Sequence, residues 1–250
     1  MDDDTTARLL TSITSQSLPP PSHSLMTSLG ARTPRPPLSS LVATAKARLL
    51  AADLTSSTYL DRSQLSAFPT GSDSVTVKEL RLRSDTHVQV VDVENLNLSR
   101  WDQIEKMEAV ERGESTRGRE VIRVADEEVA GAERETPTGG TGTRGVIAAS
   151  RKATHRLVLQ DCEGTMLYAV ELKRIDGVGV GKTSIGCKAV LRSGTVVSRG
   201  TVLLTTENCV FLGGKIDAWH DAWMSGRKAR LKEAAGVGDG HGHGETTTTR

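Results

Sequence analysis

"HRLVLQDCEGTMLYAVELKRIDGVGVGKTSIGCKAVLRSG" occupies residues 155–194 and carries two incompatible signals. Its middle, GVGVGKTS at 177–184, looks like a phosphate-binding P-loop of an α/β nucleotide-binding fold. Its flanks alternate like strands of an antiparallel sheet. A P-loop requires GxxxxGK[ST], and counting back from Gly181 puts Asp176 where the first glycine belongs. A carboxylate there would face phosphate with the wrong charge. The motif also needs a helix immediately after it, whose N-terminal amides hold the anion. Here Gly186 interrupts, and GCKAVLRSG resumes alternation, with Cys187, Ala189 and Leu191 on one face and Lys188, Val190 and Arg192 on the other. "VQVVD", ending in Asp92, imitates a Walker B strand but lies upstream within an alternating pattern. The glycine-rich stretch therefore reads as a connection between strands, with Lys182 and Thr183 in solvent.

Working outward, HRLVLQD places Leu157 and Leu159 inward, and DCEG at 161–164 reads as a glycine-bearing hairpin turn. TMLYAVELKR puts Met166, Tyr168, Val170 and Leu172 on one face, a core-like phase. SRGTVLLTTENCVFLGG supplies a fifth strand with a short continuation. Upstream, VTVKELRL and THVQVVDVENL are rich in β-branched residues. Val88 and Val90 share one phase, Val91 and Val93 the other, and this slip predicts a bulge or a strand buried on both sides. A C-terminal helix over 215–235 places Trp219 and Trp223 on one face at i,i+4 spacing.

The first 70 residues read as short helices separated by prolines: 5–17, 22–31, and LSSLVATAKARLLAADL at 38–54. The last carries Leu38, Leu41, Val42, Ala45, Leu49 and Leu50 near helical spacing, with Ser39 or Ser40 as cap. Helices this short must pack on one another and on the chain downstream of them. Between 95 and 154 the strand pattern lapses. SRWDQIEKMEAVERGE at 99–114 predicts a charged helix, and GAERETPTGGTGTRG predicts a mobile loop. The predicted domains are a helical segment 1–70, a strand-rich domain 75–214 with an insertion 95–154, a helix 215–235 and a disordered tail 236–250.

Composition limits the function. The net charge of +1 gives no global basic field for polyanions. Aromatics make up 3% of the chain, and the strand-rich part offers only Tyr168 and Phe211, both on phases taken as core, so base-stacking platforms are not expected. Cys162, Cys187 and Cys209 are too scattered for a zinc site and predict buried thiols. The histidines are equally scattered, and His87 and His155, at strand starts, are expected to face solvent. No nucleophile–base arrangement stands out. No catalytic residue, cofactor or metal ligand is expected, no apolar run is long enough for a membrane helix, and the acidic start is no signal peptide, which together predict a soluble intracellular protein. The strand count, the insertion and the terminal helix suit an α+β, mainly β chain built on a five-stranded OB-fold barrel, acting as a protein-interaction module.

Two stretches resemble the RecQ-mediated genome instability protein 1 family in its short fungal form. One is HVQVVDVENLNLSRWDQIEKMEAVERGESTRGREVIRV at 87–124. The other comprises HRLVLQDCEG, YAVELKRID, SIGCKAVLRSG and GTVLLTTENCVFLGGKIDAW within 155–219, in which LLTTENCVFLGGKID is the most specific run. RPPLSSLVATAKARLLAADLT at 35–55 looks like the end of that family's helical domain. The resemblance implies a non-catalytic, nuclear subunit of the complex between a RecQ-family DNA helicase and type IA topoisomerase III. That complex dissolves double Holliday junctions and decatenates DNA. DNA would be bound weakly or through the complex. The insertion between the first two barrel strands, here 95–154, would reach the topoisomerase gate. Trp101, Arg117, Arg119 and Ile122 would be contacts, and Lys188 an exposed basic group at a barrel edge. The alternative for each is ordinary surface, or core packing for Trp101 and Ile122. The Gly/Thr-rich run 133–145 departs from typical members. The competing function is an OB-fold protein that binds single-stranded DNA without the topoisomerase.

Overall fold

The structure, a computed structural model, describes residues 3–31, 34, 36–113 and 153–236. Expectations for Arg117, Arg119, Ile122, the run 133–145 and the tail beyond 236 lie outside the described residues. The chain divides into two compact units, one of Met1–Asn97 with Ala148–Arg227, the other of Leu98–Ile147 with Lys228–Arg250.

The first unit begins with three helices, α1 (Asp3–Ser15), α2 (His23–Gly30) and α3 (Leu38–Ala51). Each contributes apolar residues three or four apart: Leu9 and Ile13; Leu25, Met26 and Leu29; Leu41, Ala45 and Leu49. Together with Leu18, Leu54 and Leu60 these form one apolar cluster. α2 is capped by Ser22, whose Oγ accepts from the Leu25 N–H at 3.2 Å. α3 starts directly after Pro37 with no side-chain cap, so Ser39 and Ser40 lie inside its first turn. It stops at Ala51, short of the expected 54. There the Asp53 carboxylate takes the Thr55 N–H at 2.9 Å and the Thr55 hydroxyl at 2.8 Å, and this local turn competes with further helix.

The strands are β1 (Leu80–Arg81), β2 (Thr86–Asn95), β3 (His155–Gln160), β4 (Met166–Glu171), β5 (Lys188–Leu191), β6 (Val196–Ser198), β7 (Thr201–Leu204) and β8 (Cys209–Gly213). They form one eight-stranded sheet in the order β1-β6-β7-β4-β3-β2-β5-β8. β2, β3 and β4 make an antiparallel meander, whereas β4 and β7 run parallel. β5 and β6 lie next to opposite ends of this order, yet only residues 192–195 separate them in the chain. The sheet must curl to bring its two ends that close. The result is OB-fold-like, but it is not a five-stranded barrel. Two strand-forming regions are interrupted by side-chain hydrogen bonds. Thr195 Oγ1 donates to the Arg192 carbonyl at 2.6 Å between β5 and β6. Between β7 and β8, Asn208 Oδ1 accepts from the Thr205 N–H and its Nδ2 donates to the Leu203 carbonyl, each at 2.8 Å. β1 and β6 are short strands that the sequence pattern did not resolve.

The expected bulge in β2 is present. The register shifts between Val90 and Asp92, which returns Val93 to the interior phase of Val88 and Val90. These valines join Leu157, Leu159, Leu167, Ala169, Leu191 and Val202 in the sheet's core, with Trp223 among them. Trp223 lies on α5 (Asp217–Ala234), and its Nε1 donates to Asp92 Oδ1 at 2.6 Å. The insertion leaves and re-enters the sheet at a pinned base. The Leu96 N–H donates to the Thr154 carbonyl at 2.9 Å, and the Thr154 N–H donates to Asn97 Oδ1 at 2.6 Å.

Polar ties fasten the helices to the sheet. Gln89 Nε2 donates to Asp53 Oδ1 at 2.7 Å and to Gln160 Oε1 at 2.9 Å, while its Oε1 accepts from the Leu54 N–H at 3.0 Å. His87, expected in solvent, is half-buried with Nε2 2.9 Å from the Ser17 carbonyl oxygen. Gly214, at φ +91°, leaves room for the end of α3, because a Cβ there would fall on the Leu50 carbonyl.

In the second unit, α4 (Arg100–Glu111) opens with a reciprocal capping box between Ser99 and Asp102. Lys232, on the last turn of α5, pairs with Glu108 at 2.9 Å, and Lys228 pairs with Glu111.

Candidate interaction surface

The outer face of β4 is where the sequence reading and the structure part. Opposed residues of an antiparallel pair share a face. The register sets Leu157 against Ala169 and Leu159 against Leu167, so Leu167 and Ala169 face the core. The other phase, expected inside, is outside: Met166 is 58% exposed, Tyr168 50% and Leu172 59%. Val158 lies opposite Tyr168 on β3, and the parallel partner β7 sets Leu203 beside Val170. A depression of about 340 Å³ opens here between Val158, Met166, Tyr168, Gly200 and Asp73.

The inversion follows from the third inward position of β4, which holds a carboxylate. Glu171 is buried and fully engaged. It accepts the His155 N–H and approaches His155 Nδ1, both at 2.9 Å, accepts the Ile175 N–H at 2.9 Å, and pairs with Arg174 at 2.9 Å. Burial pushes its pKa up, but the hydrogen bonds from His155 and Ile175 and the Arg174 charge outweigh this and hold it below the usual carboxylate range. His155, expected in solvent, is completely buried in this cluster. The turn between β3 and β4 is fixed by another buried carboxylate, Asp161, which accepts the Glu163 and Thr165 N–H groups at 2.9 Å and the Phe68 N–H at 2.7 Å. Turn length sets which residues oppose which, and that was the available sequence signal.

The charges at this face are matched. The Arg156 guanidinium lies 4.7 Å from the Tyr168 ring centroid and also pairs with Glu94. Lys173 pairs with Glu207 at 3.6 Å. The face thus combines exposed apolar side chains with neutralised charges, which suits a protein partner better than a polyanion.

The other anticipated contacts fall elsewhere. Trp101 is 57% exposed on the first turn of α4, in the second unit, so it is a surface residue rather than core. Lys188 contradicts its expected exposure: β5 lies between β2 and β8, and its side chain is 0% exposed. Nζ donates to the Gly186 carbonyl at 2.6 Å, and burial pushes the pKa down to about 8 against the opposing effects of Cys187 and Asp53. An enclosed ammonium cannot meet a partner, and Lys188 is an interior group.

GVGVGKTS is a packed turn. Val178 and Val180 enter the core, and Thr183 is buried rather than solvated. Its Oγ1 accepts the Gly179 N–H at 3.0 Å and donates to the Gly177 carbonyl at 3.1 Å, while Lys182 remains exposed. The hydroxyl that a P-loop would offer to a metal is used internally, and β5 follows instead of a helix. Among the described residues no group of three or more His, Cys, Asp or Glu is placed to hold a metal ion. Cys162, Cys187 and Cys209 are buried and unbridged, and burial pushes Cys209 up to about 12. No described helix is long and apolar enough to cross a membrane.

A curled, OB-fold-like sheet with helices before and after it defines a mixed α+β protein. The family model "RMI1, N-terminal OB-fold domain" matches residues 65–227, and the chain belongs to that family. It is similar to RecQ-mediated genome instability protein 1 of Schizosaccharomyces pombe, 28% identical over 176 residues, covering 68% of this chain and 70% of that protein. It is likewise similar to RecQ-mediated genome instability protein 1 of Saccharomyces cerevisiae, 29% identical over 149 residues, covering 53% of this chain and 61% of that protein.

Proposed function

We propose that this protein is a non-catalytic scaffold and regulatory subunit acting in the nucleus. It binds a type IA topoisomerase III and a RecQ-family DNA helicase and promotes double Holliday junction dissolution and decatenation. The observation that carries this reading is the exposed apolar face of β4 in a member of this family. The names of the two yeast relatives, which refer to RecQ-mediated genome instability, support it. In this reading the β4 face docks on the topoisomerase. The insertion, with Trp101, Arg117, Arg119 and Ile122, supplies further contacts and acts at the gate.

The test is co-purification of the full chain with the topoisomerase III of the same organism, followed by decatenation assays. A Met166→Asp/Tyr168→Asp variant should keep its circular dichroism spectrum and lose at least about tenfold in affinity, since buried apolar anchors dominate protein interfaces. Undiminished binding by that variant would remove the β4 face from the proposal. Failure of the unmodified protein to bind or stimulate the enzyme would remove the function.

The exposure of Tyr168 beside Arg156 favours one second reading. An aromatic on the outer strands of an OB-like sheet is a stacking platform for single-stranded DNA. That reading requires salt-sensitive oligonucleotide binding by the protein alone, lost in Tyr168→Ala.

A further inference from the structure

β1 is an end strand of the sheet, paired with β6 on one side only. The Leu82 N–H donates to the Thr195 carbonyl at 3.0 Å, and the Gly194 N–H donates to the Leu82 carbonyl at 2.8 Å. Backbone groups alternate in direction along an antiparallel strand, so those of Arg81 and the N–H of Arg83 turn away from β6, while the Arg83 carbonyl accepts from the Ser193 hydroxyl at 3.0 Å. A groove of about 690 Å³ lies against this strand, lined by Ala67, Pro69 and Thr70 together with residues 80–84. Clefts of roughly 300–1,000 Å³ are the usual size for bound ligands.

We infer that this groove is a docking site for an extended acidic segment of another protein, which adds as a strand to β1. Charge selects that occupant. Leu80 and Leu82 turn toward the protein, while Glu79, Arg81 and Arg83 form the exposed alternate row. Arg83 has no ion-pair partner among the described residues. Among the described residues Arg81 pairs with Glu79 alone, at 2.7 Å, with both side chains more than half exposed, a pairing that an incoming carboxylate can replace. The nearby Asp85 is engaged by Arg192 at 2.7 Å and by the Ser193 N–H at 2.8 Å, so it does not neutralise the row. Two arginines at i and i+2 lie about 6.6 Å apart along a strand. A peptide with acidic side chains at alternate positions therefore matches them residue for residue. Main-chain hydrogen bonds supply the affinity and alternate side chains the specificity. A second copy of this chain fits poorly, because edge-to-edge pairing of β1 with itself would oppose arginines to arginines. This site is separate from the β4 face and does not rest on the function assigned to it.

The test uses the full chain and fluorescein-labelled peptides in which Glu alternates with Thr or Val, followed by fluorescence anisotropy and amide NMR. Binding should weaken by at least about tenfold when Gln replaces Glu, and it should fall between about 50 and 200 mM salt, as for exposed charges. Arg81→Glu and Arg83→Glu, both at exposed positions, should each weaken it similarly while leaving the fold intact by circular dichroism. The Arg81 and Arg83 amides should become protected from exchange. A peptide with Pro at the alternate positions that would pair with β1 should not bind, because Pro cannot donate to a ladder. The inference is overturned if the Pro peptide binds as well, or if protection appears elsewhere. It is also overturned if no alternating acidic peptide binds, if a single-stranded oligonucleotide takes the groove instead, or if sedimentation shows the edge occupied by a second copy.

Discussion

The Lys188 ammonium sits inside the protein against the Gly186 carbonyl, and its pKa there is about 8 instead of 10.5. Below pH 8 both the native and the unfolded chain carry the proton, and the native state bears the full cost of enclosing it. Between about 8 and 10.5 the native state has released a proton that the unfolded chain still holds, so stability rises with pH across that window. Lys188→Met should abolish this rise, measured as the difference between urea midpoints at pH 7 and pH 10 for the two proteins. It should leave the variant at least as stable as the original at pH 7, since a well-packed apolar group often equals or exceeds a buried charge. Glu171 is the opposite case. Its lowered pKa contributes stability that is present above the usual carboxylate range and lost as pH falls through the depressed value. Glu171→Gln should cost about 3–5 kcal/mol in chemical denaturation, because it strands the Arg174 charge and disturbs the bonds from His155 and Ile175.

At the scale of elements, a sequence reading succeeds where one side-chain property alternates and fails where a second property intrudes. β3 was legible because Leu157 and Leu159 alternate with polar residues, and the bulge in β2 was legible because the valines change phase. β4 was misread because its inward phase holds a small residue and a carboxylate, Ala169 and Glu171, while larger apolar groups face out. β5 was legible as a strand in GCKAVLRSG, but the burial of Lys188 on its second face was not, and β1 and β6 are too short to show a period. The exposed face of β4 was therefore invisible until register was known. The junction between α3 and β8 turns on a single residue. Gly214→Ala should destabilise the protein by about 1–3 kcal/mol in thermal or urea unfolding, since the new Cβ meets both a positive φ and the Leu50 carbonyl. Gly213→Ala, at a similar φ but with nothing near its Cβ, should cost less, and the difference isolates the contact with α3.

Across the whole molecule, the helices and the strands of the first unit share polar ties through Asp53, Gln89 and His87 as well as the contact at Leu50. The resemblance of the chain to its family was readable in LLTTENCVFLGGKID, whereas the division into two compact units was not, since it depends on contacts rather than on composition. The insertion begins and ends at neighbouring residues, joined by the bonds between Leu96, Asn97 and Thr154. Replacing residues 114–152 with a short Gly/Ser linker should therefore leave the melting temperature of the first unit within a few degrees of the original, as read by scanning calorimetry. A large loss would mean that those residues support the sheet. Because the chain departs and returns at one point, the insertion is a side branch on the sheet's connectivity. Doubling such a branch costs only about 0.6 kcal/mol in closure entropy. Selection could therefore lengthen, shorten or rewrite it between species, with the strands that carry it left as they are.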